Sequence, residues 1–184
     1  MIMIEVRIHG RGGQGAVTSA ELTAMAAIEE GKFAQAFPSF GPERRGAPVT
    51  AFLRVDDKQI RLREKVYQPD IVVVLDPTVM NITRVDEGLK EDGLLVINTS
   101  RPAADIRREY GFKQKLALVD ASRIAMEVLG LPISNTVMLG ALVKASGLIE
   151  PKAIQGPLAR RFGSIAARNQ KAFDRAFDEV GLEG

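Results

Sequence analysis

Gly10, Gly12, Gly13 and Gly15 crowd into HGRGGQG, residues 9–15, and fit G-x-G-x-x-G, a spacing whose chemistry is phosphate binding. Without side chains the backbone can turn tightly, admit an anion to its amides and present it to the positive end of a following helix. A run so rich in glycine is expected to be a loop. The plainer alternative is a turn that only lets a helix pack closely on a sheet. Further on, Glu43-Arg44-Arg45-Gly46 sets two guanidinium groups side by side, suited to an additional phosphate; the alternative is a solvated loop or a contact with a partner subunit. A bare nicotinamide dinucleotide would call for an acidic residue about twenty positions after the glycine loop, and that place reads AQAFPSF. A phosphorylated ribose is therefore indicated, which leaves NADP and coenzyme A as ligands. His9 is the single histidine; it reads as structural, with a general base as its alternative.

The elements that must hold these residues follow from periodicity. Residues 2–8 alternate as a strand, and Val17, Ala20, Ala24, Ala27 and Ile28 recur at helical spacing from about Gln14 to Glu30, with Gly31 as a stop. Residues 32–37 read as a second strand, followed by a Pro- and Gly-rich loop, SFGPERRGAP. VTAFLRV (49–55) and QIRLR (59–63) both alternate across a DDK turn, which predicts an antiparallel hairpin. IVVVL (71–75), LLVI (94–97) and LALV (116–119) are short apolar runs typical of strands buried on both faces. From about residue 121 the chain reads as helical. The expected fold is α/β, a Rossmann-like, mainly parallel sheet flanked by helices, with the hairpin inserted and a helical C-terminal third.

Secondary candidates have plainer readings. Asp76-Pro77-Thr78 is expected to cap a helix, with proline at its first position, although strand ends on this edge are where ligands sit. Asn135 is read the same way, or as an amide facing a cofactor. Met138, Leu139, Leu142 and Val143 belong to a buried helix, and Arg54, Arg61 and Arg63 to a solvated or inter-subunit face.

Composition narrows the classes. At 184 residues and 46% hydrophobic, the chain is expected to form one domain, 1–184. Twenty-five basic against 23 acidic residues give a net charge of +2, which argues against a general nucleic-acid binder. No cysteine is present, so this chain supplies neither thiolate nor cysteine-held iron–sulfur cluster. No apolar run approaches a membrane span, and a cytoplasmic protein without membrane association is expected. A complete NADP-dependent reductase would need a substrate domain that a chain of this length does not provide.

HGRGGQGAVTSAELTAMA, FPSFGPERRGAPVTAFLRV, PDIVVVLDPT and SNTVMLGAL, in that order across nearly the whole chain, resemble the gamma subunit of the 2-oxoacid:ferredoxin oxidoreductases, with the pyruvate enzyme the nearest match. The 2-oxoisovalerate and 2-oxoglutarate enzymes share the glycine loop, so the acid stays open. The resemblance implies a domain associated with coenzyme A, working with alpha, beta and delta subunits and with ferredoxin as electron acceptor. Thiamine diphosphate, Mg2+ and iron–sulfur clusters would belong to those partners. It implies cofactor-binding positions at Gly10, Gly12, Gly13, Gln14, Gly15, Ser39, Arg44, Arg45 and Asn135, and no catalytic side chain of this chain's own.

Overall fold

The computed structural model describes residues 3–39 and 46–184. In chain order the elements are β1 (Ile4–Arg11), α1 (Ala16–Glu29), β2 (Phe33–Pro38), β3 (Pro48–Asp56), β4 (Ile71–Val74), β5 (Leu94–Asn98), α2 (Ala103–Tyr110), β6 (Lys115–Val119), α3 (Ala121–Leu129), α4 (Asn135–Ser146), α5 (Gln155–Phe162), α6 (Ala166–Glu179) and β7 (Gly181–Glu183). The strands form one sheet in the order β2-β3-β1-β4-β5-β6-β7. β1, β4, β5 and β6 pair in parallel, while β3 runs against both β1 and β2, and β7 against β6.

The apolar runs explain the layering. In β4 all four residues are buried; Ile71 and Val73 join the core under α1, α3, α4 and α6, and Val72 and Val74 join a smaller core with Val79, Ile106 and Phe112 on the opposite face. Period-two alternation thus feeds two cores at once. α4 is buried from Asn135 through Val143, which its nearly uniform apolar sequence requires. At Gly140 it crosses α6 so closely that a Cβ would sit 2.1 Å from the Phe173 carbonyl oxygen. Met138, Leu139, Leu142 and Val143 pack as expected. No helix among the described residues is long and apolar enough to cross a membrane.

Three sequence expectations are corrected. QIRLR forms no strand, because β3 is flanked by β1 on one edge and β2 on the other and offers 59–63 no free ladder; the segment is tied instead through the Gln35 amide, which donates to the Ile60 carbonyl (3.1 Å). β1 runs two residues beyond His9, with Gly10 opposite Val49 and Arg11 opposite Pro48, so the first glycine belongs to a strand. Arg54, placed by sequence on a solvated or inter-subunit face, is only 1% accessible and bonded within the chain.

Arg54 and Arg7 share one face of the sheet and do what a ladder would otherwise do for the irregular stretches 57–70 and 82–93 on either side of β4. Arg54 donates to the Glu5 carboxylate (2.7 Å) and to the carbonyls of Glu64 (2.8 Å) and Lys65 (3.3 Å). Arg7 donates to the carbonyls of Val85 (2.9 Å) and Glu87 (2.5 Å). A guanidinium fork suits this task because its donors are fixed in one plane. Replacing Arg54 by Met leaves Glu5 unpaired and two carbonyls without donors, and is expected to cost about 3–5 kcal/mol. Urea unfolding followed by circular dichroism measures it, and a double Glu5→Gln, Arg54→Met variant should recover part of the loss.

Candidate functional site

After β1 the chain passes through α1 to β2 and β3 on one side of the sheet, whereas β4 leads to β5 and β6 on the other. The carboxyl ends of β1 and β4 therefore flank a switch point, where open α/β sheets bind ligands. The glycine loop lies there, and its two sides differ.

Toward β4 the loop is closed by its own side chains. The Gln14 amide donates to Asp76 Oδ2 (2.7 Å) and its Oε1 accepts from the Arg11 amide (2.7 Å). Arg11 donates through Nε and Nη2 to Thr78 Oγ1 (3.0 and 2.8 Å), and Thr78 donates to Asp76 Oδ1 through its hydroxyl (2.7 Å) and its amide (2.9 Å). Burial opposes the Asp76 charge, but the bonds from Thr78 and Gln14 and the nearby Arg11 outweigh it and hold the carboxyl below its usual range. Asp76 also caps the short 3-10 turn 77–81, with Pro77 at its start, as its sequence implied. Gln14 thus spends both ends of its amide inside the chain. Gly12 is similarly engaged: its N–H donates to the Ala47 carbonyl (2.8 Å) and its carbonyl accepts from Gly46 (3.2 Å).

Toward the helices the loop is open. Gly13 and Gly15 adopt φ of +93° and +85°, and α1 starts at Gly15 with no side chain capping it. Asn135 packs against Gly15 so tightly that a Cβ there would lie 2.5 Å from Asn135 Nδ2. Asn135 is the first residue of α4 rather than its cap; Ser134 precedes it and makes no side-chain cap bond. Asn135 Oδ1 accepts from the Thr136 amide (2.8 Å), and its Nδ2 donates to nothing among the described residues although the residue is only 6% exposed. Gly13, Gly15 and Asn135 border a cleft of about 380 Å3 whose other walls include Thr18, Arg161 and Arg168.

The structure therefore joins Gln14 to Asp76 on one side of the loop, with Gly10 in β1 beside Gln14, and brings Gly13, Gly15 and Asn135 together on the other. Ser39 stands apart: its amide donates to the Thr50 carbonyl (2.8 Å), prolonging the β2–β3 ladder. Arg44 and Arg45 lie outside the described residues. Arg161 and Arg168 were missed because nothing in their local sequence separates them from ordinary solvated helix arginines.

His9 is structural. It is 5% exposed, and its Nε2 accepts from Arg7 Nε (3.0 Å). Burial, reinforced by the Arg7 charge, depresses its pKa to about 3, so the ring is neutral across the physiological range.

A mainly parallel sheet with a glycine loop at its switch point, and a helix opening uncapped on that loop, defines an α/β domain of the doubly wound kind. The pyruvate ferredoxin/flavodoxin oxidoreductase profile matches residues 5–179, and the chain belongs to that family. It is 51% identical over 180 residues to the pyruvate/ketoisovalerate oxidoreductases common subunit gamma of Thermococcus kodakarensis, covering 97% of each chain. Pyruvate oxidoreductase subunit PORC of Thermotoga maritima superposes with a TM-score of 0.90 at 39% identity, covering 99% of both chains. The fold also matches part of the 2-oxoglutarate:ferredoxin oxidoreductase of Magnetococcus marinus, solved with 2-oxoglutarate, coenzyme A and succinyl-CoA: TM-score 0.79, 20% identity, 96% of this chain against 30% of that one. The chain is a gamma-type subunit of the oxidoreductase family and is not the whole enzyme.

The neutral His9 has a measurable consequence. Its folded pKa lies below the unfolded value of about 6.5, so the unfolded chain binds the extra proton, and this contribution to stability is complete above pH 6.5 and is lost as pH falls toward 3. Between pH 4 and 6 the His9→Gln variant, whose amide oxygen can still accept from Arg7, should show a slope of stability against pH shallower by about 1.4 kcal/mol per unit. Denaturant unfolding at several pH values reads this slope.

Proposed function

We propose that this chain is the coenzyme A-docking subunit of a 2-oxoacid:ferredoxin oxidoreductase, pyruvate being the preferred acid. The complex decarboxylates the 2-oxoacid oxidatively, releases CO2, transfers the acyl group to coenzyme A and reduces ferredoxin. Thiamine diphosphate, Mg2+ and iron–sulfur clusters reside in the alpha, beta and delta partners; a chain without cysteine joins such an enzyme by binding and orienting a substrate.

The observation that carries this reading is the open side of the glycine loop. An uncapped helix N-terminus leaves several N–H groups without partners and carries partial positive charge, and the Asn135 Nδ2 adds a fixed donor within the same cleft. These groups suit a phosphate and match a ligand that carries a diphosphate. Gly13 and Gly15 supply backbone approach, and Gln14 holds the loop in place through Asp76. Gly10 and Gly12 anchor the loop to the sheet. Arg44 and Arg45 contact the ribose phosphate that distinguishes coenzyme A from its dephosphorylated form. The thiol end then reaches the thiamine of a neighbouring subunit. A long-range likeness to an enzyme solved with coenzyme A bound supports the same ligand class.

Charge reversal at the donor tests it. Asn135→Asp keeps the acceptor for Thr136 but sets a carboxylate against the phosphate, and in the reconstituted complex it should raise the KM for coenzyme A at least tenfold while the KM for the 2-oxoacid stays put. Arg44→Ala or Arg45→Ala should each cost about 1.5–3 kcal/mol of binding, roughly tenfold or more in KM. Steady-state kinetics with coenzyme A as the varied substrate measures all three, and unchanged values throughout refute the assignment.

A further inference from the structure

Far from the glycine loop, the sheet ends on β2, whose outer side meets no strand among the described residues. The register decides which of its groups stand free. Ladder bonds alternate along an antiparallel pair, and the Ser39 amide donates to the Thr50 carbonyl, so Phe33, Gln35 and Phe37 turn their N–H and C=O toward β3. Ala34 and Ala36 turn theirs outward, and among the described residues these groups have no backbone partner. Pro38 falls on the same outward register; there its missing N–H removes no bond to β3 and ends the open stretch. From Phe33 to Phe37 the strand carries no charge, although charged side chains are a usual guard of an exposed edge.

Along this edge lies a groove of about 510 Å3, lined by Ala34, Gln35, Ala36 and Phe37 and, from the segment after β3, by Leu62 and Arg63. Successive strand residues point to opposite faces, so a groove that touches consecutive residues follows the backbone rather than one face of the sheet. The segment across it is tied to β2 by the Gln35 side chain, bonded to the Ile60 carbonyl, and by no main-chain bond among the described residues. The alternation of QIRLR thus faces a gap whose other wall offers open main-chain donors and acceptors. Arg61 and Arg63 are exposed there and make no ion pair among the described residues, whereas the buried Arg54 is neutralised by Glu5.

We propose that this groove takes an extended segment of a neighbouring subunit as a further strand, its main chain bonding Ala34 and Ala36 and an acidic side chain on it meeting Arg63. In such strand addition the main chain supplies affinity and the side chains specificity, and a carboxylate is the fitting partner of an unpaired guanidinium. A second copy of this chain suits the groove less well: FAQAFP brings no carboxylate, and the copy's own 59–63 segment would enter the same gap. The inference rests on the reading of this chain as one subunit of a complex and is independent of the ligand assigned to it.

Amide exchange of the full chain, free and in the assembled complex, resolved residue by residue by mass spectrometry, tests the proposal. In the free chain Ala34 and Ala36 should exchange fast while Gln35 and Phe37 are protected; in the complex the two alanine amides should slow about tenfold or more. Ala36→Pro removes an outward N–H at no cost to the β3 ladder, and Arg63→Glu reverses an exposed charge. Each should raise the Kd of the chain for its partner subunits about tenfold or more, and the exposed position of Arg63 keeps the second variant informative if the first does not fold. Alanine amides that are slow in the dilute free chain, or still fast in the complex, overturn the proposal, as does an unchanged Kd for Arg63→Glu. Slowing that grows with the concentration of the chain alone assigns the edge to a second copy and overturns it as well. A chain that joins no partner subunit refutes the subunit reading and the proposal with it, whereas fast alanine amides in an intact complex refute the proposal alone.

Discussion

Asn135 lies closer to residue 15 than any side chain at that position would permit, and this one contact ties the start of α4 to the loop that ends β1. It needs glycine twice over: Gly15 holds a left-handed φ of +85° and a Cβ would meet Nδ2 at 2.5 Å. Because α4 is buried along most of its length and locked to α6 at Gly140, the contact transmits the position of the helical layer to the glycine loop. A larger residue at 15 would push the termini of α1 and α4 apart and dissolve the cleft they share. The atoms that pack the loop against α4 also leave the start of α1 uncapped beside the cleft, so the two readings of its sequence are not rivals.

Charge is divided across the loop. On the β4 side an aspartate is kept ionised by Thr78, Gln14 and Arg11, and this pins the loop while denying that side to phosphate. On the helical side donors accumulate without acceptors. A hydrogen-bonded carboxylate and an unpaired cation differ greatly in what they offer an anion, and the fold sets them on opposite faces of a six-residue stretch. The chain thus offers geometry and potential, and without cysteine it holds no cysteine-ligated iron–sulfur cluster.

The irregular segments on either side of β4 show a similar economy. They have little regular structure, yet the carbonyls of Glu64, Lys65, Val85 and Glu87 are satisfied by the buried forks of Arg54 and Arg7. Buried carbonyls need donors, and here two sheet arginines supply them. His9 completes that arrangement as an acceptor for Arg7, and burial beside that guanidinium is why a histidine near the glycine loop carries no charge.

Local pattern alone was enough for the strands β4, β5 and β6, the helices α1, α4 and α6, the glycine loop and the capping role of Asp76, because period, apolar run length and turn chemistry are properties of neighbouring residues. The family was legible as a resemblance, carried by GRGGQG with GPERRG. Strand pairing was not legible: QIRLR alternates as well as any strand, but whether β3 has a free edge depends on β1 and β2, far away in the chain. Nor was the burial of Arg54, whose acceptors lie on a loop ten residues on, or the cleft itself. Arg161 and Arg168 stand about 150 residues from Gly13, and only the packing of α5 beside α1 and of α6 against α4 brings them to the cleft that the glycine loop borders. Proximity between residues so distant in sequence is fixed by how the layers stack, which no local spacing encodes.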